Sequence, residues 1–428
     1  MILLLYQLLY PAVAAVVLLK LALAGRGTAL REGRSELRQR LGRLSPEERA
    51  RLGPRPVWLH AASVGEVIGL APLVARLAQS PARPRILFTT STVAGRERAR
   101  ALPGVDLAVL APIDCWPAAR AFLRAVGPRC LLVAETELWP MTLLLARRMG
   151  VRIGMANGRV TQKAFRRYAW ARGLLAPALA GFERAAVQTD EDLERLASLG
   201  MPRGAVLRTG SMKYDTPLPS ENALREARSR VAELGWGEDP CWVAGSTRPG
   251  EEEDLLEAQR LCRQSHPRLR LILAPRHVER AEELAALLRS KGVKAVRWTQ
   301  LLPFEKEPEC LLVDRMGVLA SLYPCGRAAF VGGTLVPVGG HNLLEPASLG
   351  VPVLFGPHTS SVEDVALTLR ASGGGFRAQN GILLASVLGE LLSDPDKRRA
   401  AAEAALRAAK AFSGATERTW EHVKPLLA

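Results

Sequence analysis

Short apolar runs alternate with amphipathic helical stretches along most of the chain, and this alternation is typical of parallel βαβ units. The first set of predicted strands comprises VWLH at Val57, RILFTT at Arg85, LAVLAP at Leu107, CLLVAE at Cys130 and VRIGMA at Val151. The second set comprises CWVAGS at Cys241, LRLILAP at Leu269, CLLVD at Cys310, AAFVGG at Ala328 and VPVLFG at Val351. The pattern therefore predicts an α/β protein with two Rossmann-like domains facing a cleft.

The break between the two sets of strands predicts the domain boundaries. Residues 216–239 contain TPLPSEN and GWGEDP, whose prolines and glycines suit a linker with a short helix inside. We therefore expect an N-terminal domain over 25–215 and a C-terminal domain over 240–412. The remaining residues, 413–428, are expected to form a helix that packs back on the N-terminal domain.

The first 24 residues are apolar, with Gln7 and Lys20 as their strongly polar side chains. At about 1.5 Å per residue, a helix over 1–24 is long enough to cross a bilayer core of about 30 Å. A cleaved signal peptide is disfavoured because no Lys or Arg precedes the apolar run. We therefore expect a membrane anchor helix, and a full crossing and a helix seated in one leaflet both remain open. A buried soluble helix is a further alternative.

The distribution of charge along the chain predicts where the protein lies and which class of partner it binds. Arginines follow the apolar segment at positions 26, 31, 34, 38, 40 and 43, so the positive-inside tendency puts the residues after this segment in the cytoplasm. The net charge of +16 favours anionic partners, such as acidic lipids and phosphorylated or carboxylated substrates. Nucleic acid is not expected, since the chain has no recognisable nucleic-acid motif and 5% aromatic residues.

The six cysteines are scattered, without a C-x-x-C pair or a His-Cys cluster. This spacing argues against structural zinc and against a disulfide framework, and it suits a reduced compartment. No metal and no other cofactor is therefore expected.

Candidate catalytic residues of the first half follow predicted strands, where ligands of open α/β sheets bind. HAASVGEV opens a helix with Glu66 in its first turn, and ETELWP places Glu135 and Glu137 after another strand. For Glu66 the alternative is that the carboxylate only complements the helix dipole. For Glu137, capping of the following helix is favoured over catalysis.

The second half carries three loops suited to an anionic ligand. AGSTRPGEEE offers backbone N–H groups at a helix start. The glutamates that follow, Glu251, Glu252 and Glu253, are interpreted as ordinary acidic residues of the first helical turn. APRHVER places Arg276 after a strand, where its guanidinium suits a phosphate, although a solvated surface arginine is the alternative. GGTLVPVGGHNLLEPA has two glycine pairs before a helix carrying Glu345, a carboxylate suited to ribose hydroxyls.

Walker and dinucleotide fingerprints are absent from these loops. A sugar-nucleotide transferase that stabilises its leaving group with helix N-termini and cations fits them better. This is the chemistry of the metal-independent GT-B transferases.

Six motifs in order, HAASVGEV, ETELWP, GSMKYD, APRHVER, DRMGVL and GGHNLLEPA, resemble those of the Kdo transferases of lipopolysaccharide synthesis, glycosyltransferase family 30. The resemblance covers nearly the whole chain. It implies an enzyme that moves 3-deoxy-D-manno-oct-2-ulosonic acid (Kdo) from CMP-Kdo to a lipid A precursor, lipid IVA, with inversion at the anomeric carbon. It also implies attachment to the cytoplasmic face of the inner membrane, beside anionic lipids.

The same resemblance implies roles for individual residues. Glu66 matches the general base for the acceptor hydroxyl, and Glu135 and Lys213 match positions that stabilise the transition state. Arg276, Gly317 and Asn342 would hold phosphate and Glu345 the ribose. The full set of implied CMP-binding residues is Pro275, Arg276, Met316, Gly317, Val318, Asn342, Leu343, Leu344 and Glu345.

Two positions depart from the family's usual pattern: Arg248, where histidine is typical, and Gly158, where alanine is common. The number of Kdo units transferred, the oligomeric state and the effect of these two departures on substrate choice stay open. Two other functions also remain: a GT-B transferase for another nucleotide sugar such as UDP-GlcNAc, and a non-catalytic, membrane-tethered lipid-binding protein. The joint presence of SVGE and ETELWP argues against the first, and the retained charged residues argue against the second.

Overall fold

The computed structural model describes residues 6–7, 29–81, 83–215, 218–300 and 308–427. These residues form two compact units. The first unit runs to Asp215 and includes the C-terminal stretch from Gly414, whereas the second spans Thr216–Ser413. Each unit is built on one parallel seven-stranded sheet, so the predicted α/β class with two parallel-sheet domains is confirmed.

The first unit has strand order β3-β2-β1-β4-β5-β6-β7. Its strands are β1 (Val57–Ala61), β2 (Ile86–Thr90), β3 (Leu107–Leu110), β4 (Cys130–Ala134), β5 (Arg152–Gly158), β6 (Phe182–Val187) and β7 (Val206–Arg208). Its helices are α1 (Ala29–Arg40), α2 (Pro46–Leu52), α3 (Val64–Ala78), α4 (Val93–Arg100), α5 (Trp116–Val126), α6 (Pro140–Arg148), α7 (Gln162–Trp170), α8 (Arg172–Leu179) and α9 (Asp190–Leu199). The strand order changes direction between β1 and β4, the position at which open α/β sheets bind ligands.

The second unit has strand order β10-β11-β9-β8-β12-β13-β14. Its strands are β8 (Cys241–Thr247), β9 (Arg270–Pro275), β10 (Ala295–Arg297), β11 (Cys310–Leu312), β12 (Ala329–Val331), β13 (Val353–Phe355) and β14 (Gly375–Arg377). Its helices are α10 (Glu221–Ala232), α11 (Glu252–Ser265), α12 (Ala281–Ser290), α13 (Leu319–Leu322), α14 (Leu344–Ala347), α15 (Glu363–Ser372), α16 (Gly381–Ser393) and α17 (Pro395–Phe412). Here the order changes direction between β8 and β12.

The central strands are buried on both faces, which explains their continuous apolar runs. Every residue of β1, β2 and β4 is buried. In the first unit, Trp58 of β1 packs against Phe122 of α5 with ring centroids 4.9 Å apart. All ten predicted strands are therefore present, five in each sheet.

The last helix, α18 (Ala415–Val423), returns to the first unit. Its Trp420 and Val423 are buried in that unit's core, as is Leu426 in the short helical stretch behind it. Asp215 accepts hydrogen bonds from the first backbone N–H groups of this segment, at 2.6 Å from Gly414 and with a further bond from Thr416. The end of the chain is thereby held beside residue 215.

The segment predicted as a linker, residues 216–239, is grouped with the second unit. Its helix α10 buries Ala227, and Leu234 and Trp236 behind it join the same hydrophobic core. Trp236 donates its indole N–H to the carbonyl oxygen of Pro308 at 2.7 Å. Ala227, Leu234 and Trp236 are therefore part of the hydrophobic core of the second unit.

The predicted anchor helix, residues 1–24, lies outside the described residues apart from two. Tyr6 donates its hydroxyl to Asp114 Oδ2 at 2.8 Å, and Gln7 Oε1 accepts the N–H of Trp116 at 2.6 Å. Among the helices that are described, none combines the length and apolarity needed to span a membrane.

Candidate active site

Glu66 is placed by the turn between β1 and α3. Ser63 caps α3 by accepting the N–H of Glu66, and its hydroxyl donates to Glu66 Oε1 at 2.8 Å. Glu66 Oε2 accepts the N–H of Ala62 at 2.8 Å. The carboxylate is therefore held in one orientation at the carboxyl end of the central strand. Because Glu66 lies in the first turn of α3, its carboxylate is also close to the positive end of the helix dipole.

Burial raises the pKa of Glu66 above its usual range. The hydrogen bond from Ala62 opposes this shift, while the nearby carboxylate of Glu137 adds to it. A carboxylate with a raised pKa is a stronger base than a solvated one. The site thus combines a fixed orientation with increased basicity.

Glu135 follows β4 and adopts a left-handed backbone, with φ 44°. This conformation is unfavourable for a residue with a side chain, and such strain clusters at functional sites. Burial raises the pKa of Glu135, and the carboxylate of Glu66 adds to the shift. Arg159 and Lys213 oppose it, so both cations lie within electrostatic range of Glu135. The structure therefore brings Glu66, Glu135 and Lys213 together in the first unit.

Lys213 lies in a short helical turn, Met212–Tyr214, whose backbone is fixed to the sheet. Asn157, at the end of β5, accepts the N–H of Met212 through Oδ1 at 3.0 Å. Asn157 itself has φ 58°, a conformation that asparagine tolerates better than most residues. The lysine ammonium lies 4.9 Å from the ring centre of Tyr214. Asn157 thus positions the turn that carries the cation.

Glu137 does not cap α6, contrary to the favoured interpretation of its sequence position. Its Oε2 accepts the indole N–H of Trp139 at 3.0 Å and lies 3.5 Å from His60 Nε2. The cap is supplied instead by buried Asp114, which accepts the N–H groups of Met141 at 3.0 Å and of Thr142 at 2.7 Å. Asp114 lies 23 residues before Glu137 in the chain, so local spacing gives no sign of this contact.

Arg159 and His60 are site residues that the sequence reasoning missed. His60 is buried at the end of β1, where Nδ1 contacts Thr89 Oγ1 at 2.8 Å and Nε2 accepts from Trp139 at 3.0 Å. It therefore links the β1 strand to the ETELWP loop. Its position within the HAASVGE motif, two residues after buried Trp58, was the available signal.

Gly158 precedes Arg159 and has a packing reason for lacking a side chain. A Cβ at this position would lie 2.6 Å from Met155 Sδ and 2.9 Å from Val187 Cγ1. The bulky methionine three residues earlier in β5 fills the space that an alanine would need. The departure at residue 158 is therefore compensated locally.

The second unit contains a cavity of about 210 Å³ at the carboxyl ends of β9 and β11. Five of the nine implied CMP-binding residues line it: Pro275, Arg276, Met316, Gly317 and Glu345. Val318, Asn342, Leu343 and Leu344 lie outside the lining. Leu343 and Leu344 are buried core side chains, and Asn342 Oδ1 accepts the N–H of Leu344 at 3.1 Å.

Opposite charges face this cavity. Burial raises the pKa of Glu345, while a hydrogen bond from Asn342 and the charge of Arg276 oppose the shift. Arg276 is exposed, and within the described ranges its guanidinium forms no hydrogen bond or ion pair. The arrangement suits a ligand with hydroxyl groups near Glu345 and an anionic group near Arg276.

Glu251 has a structural role that its sequence position did not suggest. The side chain is fully buried and its Oε2 accepts N–H groups from Arg248 and Gly333, both at 2.8 Å. Its Oε1 accepts those of Thr334 and Leu335, both at 2.9 Å. The prediction of an ordinary first-turn acid is therefore wrong for Glu251, which joins the loop after β8 to the glycine loop after β12.

Comparison with known proteins identifies relatives that cover most of the chain. The family described as "3-Deoxy-D-manno-octulosonic-acid transferase (kdotransferase)" matches residues 35–216. The 3-deoxy-D-manno-octulosonic acid transferase of Bordetella pertussis is 35% identical over 387 residues, covering 87% of each chain. The enzyme of the same name from Haemophilus influenzae is 33% identical over 378 residues, covering 87% of this chain and 88% of the relative.

Among solved structures, UDP-GlcNAc 2-epimerase from Neisseria meningitidis bound to UDP-GlcNAc is similar with a TM-score of 0.57. The similarity covers 86% of this chain and 100% of the epimerase at 14% sequence identity. At that identity it supports the fold alone. Two parallel-sheet α/β domains are thus a shared architecture, on which different chemistries occur.

Proposed function

Because this chain belongs to the 3-deoxy-D-manno-octulosonic acid transferase family, we propose that it transfers Kdo from CMP-Kdo to lipid IVA, a lipid A precursor, in lipopolysaccharide core biosynthesis. The observation that carries this proposal is that Glu66, Glu135 and the turn of Lys213 lie at the carboxyl ends of the adjacent strands β1, β4 and β5. A base beside a cation is what transfer of an anionic sugar to a hydroxyl requires.

In the proposed mechanism Glu66 accepts the proton of the attacking acceptor hydroxyl. The hydroxyl oxygen bonds to the anomeric carbon of Kdo as the bond to the CMP phosphate oxygen breaks on the opposite face, which inverts the anomeric configuration. The electron pair of the broken bond leaves on the CMP phosphate. The raised pKa of Glu66 supports its role as a base near neutral pH.

Glu135 and Lys213 stabilise the transition state in this proposal. Positive charge develops at the anomeric carbon, where a carboxylate is favourable, and negative charge develops on the departing phosphate, where an ammonium is favourable. The two groups influence each other's charge in the structure, which supports their acting as a pair.

The second unit binds CMP in this proposal. Glu345 contacts ribose hydroxyls and Arg276 the phosphate, supported by their common position in the cavity. Leu343 and Leu344 are buried, so they would contribute backbone groups. The reaction as proposed uses no metal ion, because the leaving group is a monophosphate that protein cations can neutralise.

In this proposal the two units belong to the GT-B class of transferases, and residues 1–24 attach the protein to the cytoplasmic face of the inner membrane. A net charge of +16 supports attraction to anionic lipids, and an acceptor with acyl chains stays in the membrane.

The test is acceptor-dependent release of CMP by membranes that contain the protein. We expect CMP release when CMP-Kdo and lipid IVA are both supplied, and a background rate when lipid IVA is omitted. Substituting UDP-GlcNAc for CMP-Kdo should give no transfer. Transfer from UDP-GlcNAc, or no acceptor-dependent release from CMP-Kdo, would overturn the proposal.

A further inference from the structure

Arg248 lies directly after β8, in the second unit, and its backbone is fixed. Its N–H donates to Glu251 Oε2, the oxygen that also accepts the N–H of Gly333. The arginine and the glycine loop after β12 are therefore held by the same buried carboxylate. A side chain on such a support is constrained before any ligand binds.

Two imidazole rings orient the guanidinium of Arg248. Its Nε donates to His341 Nε2 at 3.1 Å, and its Nη1 donates to His277 Nε2 at 2.9 Å. Arginine can only donate hydrogen bonds, so both Nε2 atoms are acceptors. Burial, with the charges of Arg248 and Arg276, lowers the pKa of His341 to about 4, which keeps that ring neutral.

These contacts leave most of the cation's hydrogen-bonding capacity available. Two of the five guanidinium N–H donors are used, which leaves three, including both on Nη2. No carboxylate of the described residues pairs with this guanidinium. The Glu251 carboxylate is taken up by four backbone N–H groups. Arg248 is thus an oriented, half-buried cation without an anionic partner in the part of the chain that the structure describes.

Hydrogen bonds place Arg248 next to the loop that borders the CMP cavity. The N–H of Arg276 donates to the carbonyl oxygen of Thr247 at 3.0 Å, and His277, the residue after Arg276, accepts from Arg248 Nη1 at 2.9 Å. Arg248 therefore lies beside the loop that carries Arg276. Arg276 and Glu345 line the 210 Å³ cavity, whereas Arg248 does not.

We propose that Arg248 binds the carboxylate carried by the anomeric carbon of the transferred sugar, and so selects donors that are acidic sugars. This inference rests on the proposed function. In CMP-Kdo the sugar carboxylate lies beyond the phosphate as seen from the ribose, and Arg248 lies beside Arg276 but outside the cavity that Arg276 and Glu345 line. A guanidinium suits the planar carboxylate because it can donate two parallel hydrogen bonds.

The experiment compares two constants for the full-length protein in membranes. One is the KM for CMP-Kdo at saturating lipid IVA, and the other is the inhibition constant of CMP. The variants are Arg248→Gln and Arg248→Lys. The matched control is Arg260→Gln, which removes one exposed arginine of the same unit that pairs with Glu257.

For Arg248→Gln we expect the KM for CMP-Kdo to rise roughly 10- to 100-fold, the effect of losing a charge-assisted hydrogen-bonded pair. The inhibition constant of CMP should stay within about twofold of the wild-type value, because CMP lacks the carboxylate. Arg248→Lys should recover part of the KM loss, and Arg260→Gln should change neither constant. Retained CMP inhibition also shows that the variant is folded.

An equal rise of both constants would assign Arg248 to the phosphate and overturn the inference. An unchanged KM in Arg248→Gln would overturn it as well. Failure of the wild-type protein to use CMP-Kdo would contradict the proposed function itself. The wild-type measurement thus separates the two failures.

Discussion

At the scale of single residues, catalysis in the proposed mechanism depends on the protonation state of Glu66. A general base works only when it is unprotonated, so activity falls as the pH drops through its pKa. Because burial and the carboxylate of Glu137 raise that pKa above 4.5, the loss should begin at a higher pH than for a solvated glutamate.

We therefore predict that the acid limb of the kcat/KM profile for lipid IVA inflects above pH 4.5. In Glu137→Gln the limb should move to lower pH, since a like charge next to Glu66 is removed. In Glu66→Gln the limb should vanish and kcat should fall about 10²- to 10⁴-fold. A wild-type acid limb that survives in Glu66→Gln would assign the limb to another group, such as Glu135.

Several site residues could be found from sequence because each lies within a few residues of the end of an apolar run. Glu66, Glu135 and Arg276 follow predicted strands, and the carboxyl ends of parallel strands share one edge of a sheet. Asp114 and Glu251 could not be assigned in the same way. Their partners come from other loops, so their roles depend on tertiary contacts that no local pattern records.

At the scale of secondary structure elements, the capping of α18 by Asp215 has a functional consequence. Asp215 follows the turn that carries Lys213 and accepts N–H groups of Gly414, Ala415 and Thr416. The helix start and the lysine turn are therefore fixed to each other. Loss of the cap should loosen Lys213 as well as the helix.

We predict that Asp215→Ala destabilises the protein by about 1–2 kcal/mol, the usual value of a helix cap, and lowers kcat. Asp394→Ala is the matched control, because Asp394 caps α17 of the second unit through Asp396 and Lys397. Asp394→Ala should lower the free energy of unfolding by a similar amount and leave kcat unchanged. Thermal unfolding and steady-state kinetics check both expectations, and equal kinetic losses in the two variants would remove the link between Asp215 and Lys213.

The strands predicted from sequence are buried on both faces of their sheets, whereas the strands that were missed contain exposed or half-exposed residues. β7, β10 and β14 lie at sheet edges and contain exposed or half-exposed residues, whereas the equally short β11, β12 and β13 are buried throughout. β6 contains exposed Glu183 and half-exposed Arg184, which interrupt its hydrophobic pattern. The missed strands therefore lack the pattern on which the prediction depends.

At the scale of the whole molecule, the chain's last residues complete the core of its first unit. Leu426 is fully buried, and a Cβ at Gly154 in β5 would overlap it. The glycine thus leaves room for a side chain from 272 residues further along the sequence. A stable first unit therefore needs the C-terminus.

We predict that Leu426→Ala lowers the free energy of unfolding by about 2–5 kcal/mol, as expected for a buried leucine. Leu427→Ala is the control, since Leu427 is partly buried and should cost less. Chemical denaturation of the two variants checks the difference. Equal losses would contradict the assignment of Leu426 to the core.

The resemblance of six motifs to Kdo transferases is confirmed by relatives that are 31–35% identical over most of the chain. What the motifs could not provide is the set of contacts that position the shared residues. Asn157 fixes the turn of Lys213, and Glu251 fixes the loops around Arg248. Both contacts join segments that are distant in sequence.

The mass of the lipid product after incubation of the full-length protein with CMP-Kdo and lipid IVA tests the proposed Kdo transfer most directly. We predict that lipid IVA gains the mass of one or more Kdo residues with the wild-type protein. The Glu66→Gln variant is compared at the same amount of protein, and its residual activity should still be inhibited by CMP. Its gain in lipid mass should fall to a small fraction of the wild-type gain. An unchanged lipid mass with the wild-type protein, or an equal gain with Glu66→Gln, would contradict the proposed mechanism.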